Sequence, residues 1–235
     1  TAGDLLFNGP LPLSGIPYKE SAYNMKPGAG TWEILQTSIG QGTTQITPLH
    51  NAMITAAIAN GGTLMKPYFL DSVVSAGDET IKKFMPAAYG SLMSAKEAAG
   101  LTELMRAVVT EGTGSAVRTD AYTVAAKTGS AEFETGKETH AWFTGFAPAE
   151  SPRLVVTVLV EEGGSGGRSC TDFKGKAAFF EGRNRCGTGK ASARLSGGCG
   201  KQHQRDGAVA AESASGRRPG FVFVPEAAGG GGALL

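Results

Sequence analysis

The chain has 235 residues, 41% hydrophobic and 18% charged, with a net charge of +1. That is an ordinary globular composition with room for one large domain or two small ones. No apolar run approaches the roughly 18 residues that span a bilayer, which excludes a membrane-spanning helix within this stretch. Charge and glycine are unevenly spread. Residues 166–235 hold eleven Lys/Arg, five Asp/Glu, sixteen of the 35 glycines and all three cysteines. The cysteine-free body is compatible with an oxidising compartment. Thr1, not methionine, opens the chain without a signal peptide. It reads as the start of a fragment, with any anchor upstream.

Residues 1–37 are punctuated by Gly9-Pro10, Ile16-Pro17 and Lys26-Pro27-Gly28 and are expected to be loop. Gly40-Gln41-Gly42 reads as a tight turn feeding the next element. Thr47 as N-cap and Pro48 at the first helical position begin a helix in which Leu49, Ala52, Met53, Ala56, Ala57 and Asn60 recur at helical spacing. Gly61-Gly62 stops it. No charged residue occurs between Gly42 and Met65, so this helix is expected to be buried centrally. His50 within it is expected to be a satisfied core group and not a catalyst.

Leu64–Leu70 reads as a short strand and 71–79 as turn-rich. Ser94 and Glu97 form a capping-box pattern that opens a second helix, with Leu101, Leu104, Met105, Val108 and Val109 as its apolar stripe. Gly112-Thr113-Gly114 ends it. Three strands follow. The first runs through Thr123-Val124-Ala125-Ala126 into Lys127-Thr128-Gly129-Ser130, and Glu134-Thr135-Gly136-Lys137 turns it into the second, over 140–147. The third, 154–160, is apolar on both sides. Strands so patterned need cover above and below, which predicts an α/β (α+β) fold of three layers, helix, sheet and helix.

Beyond Gly166 no period of 3.6 or 2 persists. The tail, 166–235, is therefore assigned as a Gly/Arg-rich, aberrant or disordered segment, set apart from a body over 1–165. The abrupt change is expected to reflect a reading-frame shift near Gly167. Gly187-Thr188-Gly189-Lys190 lacks the upstream glycine and the Ser/Thr of a phosphate loop. Cys170, Cys186 and Cys199 are too widely spaced for common zinc sites. Without Tyr or Trp, the basic tail does not read as a nucleic-acid binder.

Taken together, residues 31–165 resemble the C-terminal half of a class B penicillin-binding protein transpeptidase domain. The stretches that carry the resemblance are Thr37-Ser38-Ile39-Gly40-Gln41-Gly42, Thr47-Pro48-Leu49-His50-Asn51-Ala52, Ile58-Ala59-Asn60-Gly61-Gly62, Val108–Gly114, Ala126-Lys127-Thr128-Gly129-Ser130 and His140–Pro148. His50 departs from the family's usual glutamine. The resemblance implies a partial penicillin-binding/β-lactamase-like transpeptidase fold at the extracytoplasmic face of a bacterial membrane. It implies peptidoglycan stem peptides as substrates, β-lactam antibiotics as trapping ligands, other cell-wall synthesis proteins as partners, and neither cofactor nor metal. Roles in cell shape and cell division fit the same family.

The family's Lys-Thr-Gly motif maps onto Lys127, Thr128 and Gly129. By that match Lys127 supplies positive charge, Thr128 hydrogen-bonds the substrate or drug carboxylate, Gly129 lets the substrate backbone come close, and the Ser130 N–H is an oxyanion donor. Strand alternation is expected to send Lys127 and Thr128 to opposite sides. The family's Ser-x-x-Lys and Ser-x-Asn motifs are absent from the sequence, and in the family they precede this region. The expectation is a transpeptidase fragment that is inactive alone. A β-lactam-binding sensor, a degenerate relative and a β-lactamase are the alternatives.

Overall fold

The computed structural model describes residues 5–13, 17–68, 70, 72–169 and 220–225. Its first helix, α1 (Thr31–Ser38), lies at the end of the stretch expected to be loop. Gly30 caps it without a side-chain bond and none of its residues is buried. Local signals for a helix are therefore weak, and the loop expectation is corrected there.

The apolar helix stands where the sequence puts it. In α2 (Pro48–Ala59) the Thr47 hydroxyl accepts the His50 N–H at 3.2 Å. Met53 and Ala57 pack with Leu11 and Leu64 on one side. Ala56, Ile58 and Ala59 meet Ala125, Phe146 and Val155 of the sheet on another. A helix with partners on two sides needs no polar face.

His50 is 1% exposed, and its Nε2 lies 2.6 Å from the Leu5 carbonyl. Burial holds its pKa below the usual imidazole value, against the raising effect of that bond. A histidine that is harder to protonate folded than unfolded favours the folded state fully above about pH 6.5. That contribution shrinks as pH falls through the unfolded value toward the folded one. Stability is therefore expected to fall as pH drops below about 6.5, and His50→Gln should flatten that fall in denaturant melts.

The expected strand over 64–70 is shorter, β1 (Thr63–Met65). The stretch expected to be only turn-rich, 71–79, holds β2 (Ser72–Val74) and the turn of a hairpin that β3 (Thr80–Lys83) completes just beyond it. Its turn is held by the Ser75 hydroxyl, which accepts from the Gly77 and Glu79 amides. Strands of three and four residues carry too little alternation to register as a period. β4 (Ala88–Ser91) pairs antiparallel with β1.

Helix α3 (Ala95–Thr110) opens on the expected capping box: Ser94 N–H donates to Glu97 at 2.8 Å, and Glu97 N–H to the Ser94 hydroxyl at 3.2 Å. Hydrogen bonds from the Ser94 side chain and backbone hold the Glu97 carboxyl below its usual value. Met105 and Val109 are buried, but Leu101 and Leu104 are 36% and 67% exposed. The apolar stripe read from the sequence is therefore wider than the face the helix buries.

The main sheet is antiparallel, in the order β5 (Ala125–Ala131), β6 (His140–Ala147), β7 (Leu154–Val160) and β8 (Gly220–Pro225). The β5–β6 turn is the one expected, with Lys137 N–H bonded to the Glu134 carbonyl at 3.3 Å. α2 covers one face of the sheet. On the other, Phe143, Val156 and Val158 pack with Val109 at the end of α3 and with Val117. This is the three-layer arrangement the strand patterns require. β8 adds to β7 with Leu154 opposite Pro225 and Leu159 opposite Gly220. Of the tail, 166–169 and 220–225 are described. The phosphate-loop-like stretch and the three cysteines lie outside the described residues. Among the described residues no helix is long and apolar enough to cross a membrane.

Candidate active site

β5 ends the sheet order, with β6 on one side and, among the described residues, no strand on the other. Lys127, Thr128, Gly129 and Ser130 sit within this strand, which continues past the apolar run before them. Their cross-strand partners on β6 are Thr144, Phe143, Trp142 and Ala141.

Directly paired residues share a face, so Lys127 lies with Thr144 on the α2 side and Thr128 with Phe143 on the other. Lys127 is exposed and Thr128 buried, the alternation expected from the sequence. Beneath Lys127 a chain of hydroxyls ties the sheet to α2. Thr55 donates to the Asn51 carbonyl at 2.8 Å, and Thr55, Thr144 and Thr157 follow one another at 2.8 and 2.7 Å. Each hydroxyl has one proton. With that of Thr55 used on Asn51, Thr144 donates to Thr55 and Thr157 to Thr144. The backbone behind Lys127 is thereby pinned by a satisfied buried network.

The Lys127 ammonium donates to the Thr128 carbonyl at 2.5 Å. Among the described residues no carboxylate pairs with it, so its charge is available to an anion. The Thr128 hydroxyl lies 2.5 Å from that of Thr113. Thr113 belongs to a stretch read as the stop of α3 and as part of the family resemblance, with no role at the site assigned to it.

The Ser130 hydroxyl accepts the Gly166 N–H at 3.0 Å. A Cβ on Gly166 would sit 2.3 Å from the Gly129 carbonyl oxygen, so only glycine lets this segment lie against the strand. The Gln41 side chain reaches the Ser130 carbonyl at 3.0 Å and accepts from the Glu132 N–H at 3.3 Å. Gln41, read as part of a turn, thus touches the strand from 89 residues away.

Those two contacts orient the edge. A residue's N–H and C=O point to the same side of a strand, and the side alternates along the chain. With the Ser130 carbonyl and the Glu132 amide facing outward, Ser130 N–H faces outward too, as do both backbone groups of Thr128. The backbone groups of Lys127, Gly129 and Ala131 face β6. A ligand beside β5 would thus meet two outward amides, an ammonium and a hydroxyl. Among the described residues no cluster of His, Cys, Asp and Glu could hold a metal ion.

The family model of the penicillin-binding protein transpeptidase domain matches residues 12–178. The peptidoglycan D,D-transpeptidase PbpA of Mycolicibacterium smegmatis is 37% identical over 158 residues, 65% of this chain and 32% of the relative. The chain thus spans about a third of that relative's length. Among solved structures, penicillin-binding protein A from M. tuberculosis as an imipenem acyl-enzyme complex superposes with a TM-score of 0.67. It is 32% identical, over 76% of this chain and 40% of that one. The D,D-transpeptidase domain of a peptidoglycan glycosyltransferase from Eggerthella lenta gives a TM-score of 0.69 at 29% identity, over 78% of this chain and 47% of that one.

Proposed function

Since the chain belongs to the penicillin-binding protein transpeptidases, of the class B type, we propose that it forms the substrate-docking wall of a peptidoglycan D,D-transpeptidase. The observation that carries this reading is the edge position of Lys127-Thr128-Gly129-Ser130, with the Ser130 N–H directed away from the sheet.

In this reading a stem peptide ending in D-Ala-D-Ala lies beside β5 as an added strand, the mode in which backbone bonds give affinity and side chains give selectivity. A serine hydroxyl attacks the penultimate carbonyl carbon. The carbonyl oxygen becomes an oxyanion that the Ser130 N–H stabilises. The terminal D-alanine leaves as the amine, taking a proton, and an ester to the serine remains. An amine on a neighbouring stem then attacks the ester and frees the hydroxyl. Lys127 contributes positive charge on the α2 side of the edge. Thr113 donates to Thr128, which leaves the Thr128 proton for the terminal carboxylate. β-Lactams present the same carboxylate and carbonyl and stop at the ester.

The sequence has no Ser-x-x-Lys, so in this reading the chain is inactive alone. It works with a nucleophile-bearing segment at the extracytoplasmic face of the membrane, alongside other cell-wall synthesis proteins. The body over 1–165 carries the chemistry, and the Gly/Arg-rich tail lends the sheet a strand, β8, but no reacting group. A fluorescent penicillin should label a longer form carrying Ser-x-x-Lys and leave this chain unlabelled. Absence of labelling in the longer form would sink the reading.

Gly129 separates fold from function. A Cβ there would make only an ordinary contact, 3.5 Å from the Trp142 Cβ, so Gly129→Ala should change stability by less than about 1 kcal/mol. Crowding the docked backbone should nevertheless weaken D-Ala-D-Ala peptide binding by about tenfold or more. Thermal melts and an NMR titration check both halves. Unchanged peptide affinity would remove Gly129 from the site.

A further inference from the structure

One polar side chain already occupies the edge. Gln41 sits between Gly40 and Gly42, whose φ values of +79° and +83° bend the chain sharply after α1. Gln41 N–H closes back on the Gln36 carbonyl at 2.9 Å. The carboxamide is thereby aimed at β5, where it donates to Ser130 O at 3.0 Å and accepts from Glu132 N–H at 3.3 Å. One amide bridging a carbonyl and the N–H two residues on is the bonding a neighbouring strand's backbone provides.

We propose that Gln41 is a specificity-determining residue that occupies the Ser130 carbonyl and so decides which backbone bonds a docked peptide makes. The inference rests on the strand-addition reading above. In an antiparallel pair, a residue whose carbonyl takes the Ser130 N–H returns its own N–H to the Ser130 carbonyl. For a D-Ala-D-Ala ligand that group is the penultimate residue's N–H, and Gln41 competes with it. Among the described residues no side chain takes the outward Ser130 N–H, so the oxyanion donor is spared while the second bond of the pair is contested. Both Gln41 bonds lie at an exposed edge, where water can replace them, which makes Gln41 displaceable and not a permanent part of the sheet.

The test uses this chain and two isosteric probes, N-acetyl-D-Ala-D-Ala and acetyl-D-lactoyl-D-Ala. They differ only in that an ester oxygen replaces the penultimate N–H. Binding is followed by NMR at the Ser130 and Glu132 amides. With Gln41 present the two probes should bind within about twofold of each other, because neither gains the Ser130 carbonyl outright. In Gln41→Ala the amide probe should tighten by about three- to tenfold, the worth of one net hydrogen bond, while the lactoyl probe stays unchanged.

Gln41→Glu keeps the side chain's size and its acceptor for Glu132, but its carboxylate cannot donate to Ser130. It should therefore behave like the alanine variant, which guards against a simple folding defect. An equal change for both probes would mean that Gln41 only shapes the strand, and would overturn the inference while leaving strand addition intact. An amide preference of the same size with and without Gln41 would overturn it too. If neither probe bound any form, both the inference and the docking-wall reading would fall.

Discussion

Ser130→Pro is expected to slow acylation by about 100- to 1,000-fold, the usual cost of losing one oxyanion donor. Proline removes the N–H at position 130, and that N–H points away from β6, so no ladder bond is lost. Edge strands tolerate proline for this reason. Ser130→Ala is the matched control. It keeps the backbone donor and removes only the hydroxyl that accepts from Gly166 at 3.0 Å, so it should slow acylation by less than about tenfold. The measurement is the rate of covalent labelling by a fluorescent penicillin in a form carrying Ser-x-x-Lys, with a thermal melt to confirm folding. A proline variant labelled within about tenfold of the parent would mean that the oxyanion is stabilised elsewhere.

Phe143→Ala should cost about 3–5 kcal/mol of stability. Phe143 is 0% exposed and packs with Val109, Val117, Val124, Ala126 and Val158. Its neighbours come from a helix end, a 3-10 turn, a loop and two strands, and they cannot all collapse into the space it leaves. For a body of this size the midpoint of thermal unfolding should fall by about 6–20 °C. Leu104→Ala provides the contrast. Leu104 belongs to the same apolar reading of the sequence but is 67% exposed, and its loss should cost less than about 0.5 kcal/mol. Equal losses at the two positions would contradict the burial pattern on which the sheet's cover rests. Phe143 also lies opposite Thr128 in the register, so the cavity should loosen the substrate edge as well as the core.

Much of this architecture is legible from local chemistry. Thr47, Pro48 and the Ser94–Glu97 box mark helix starts because capping involves residues within one turn. The β5–β6 hairpin is readable from Glu134–Lys137, since a tight turn is also a local event. α1 escapes a sequence reading because it lacks a side-chain cap and buries nothing. The β2–β3 hairpin escapes it because strands of three and four residues hold hardly one cycle of alternation. Leu101 and Leu104 are misplaced for a different reason. Periodicity says which side chains share a helix face, but only the neighbours decide how much of that face is covered.

The site divides along the same line. Lys127, Thr128, Gly129 and Ser130 are consecutive, so their alternation about a strand follows from covalent geometry alone. Thr113, Gln41 and Gly166 reach that strand from elsewhere in the chain. Gln41 and Thr113 stand in stretches whose evident work is to turn or end a helix. The chain's own order thus determined the family, the helix caps and the motif-bearing strand. The fold alone decided how the edge is turned, with Ser130 N–H facing outward, and which distant groups hold or contest it. Hydrogen bonds act over about 3 Å of space whatever the separation in sequence, so contacts across 89 residues leave no local period to read.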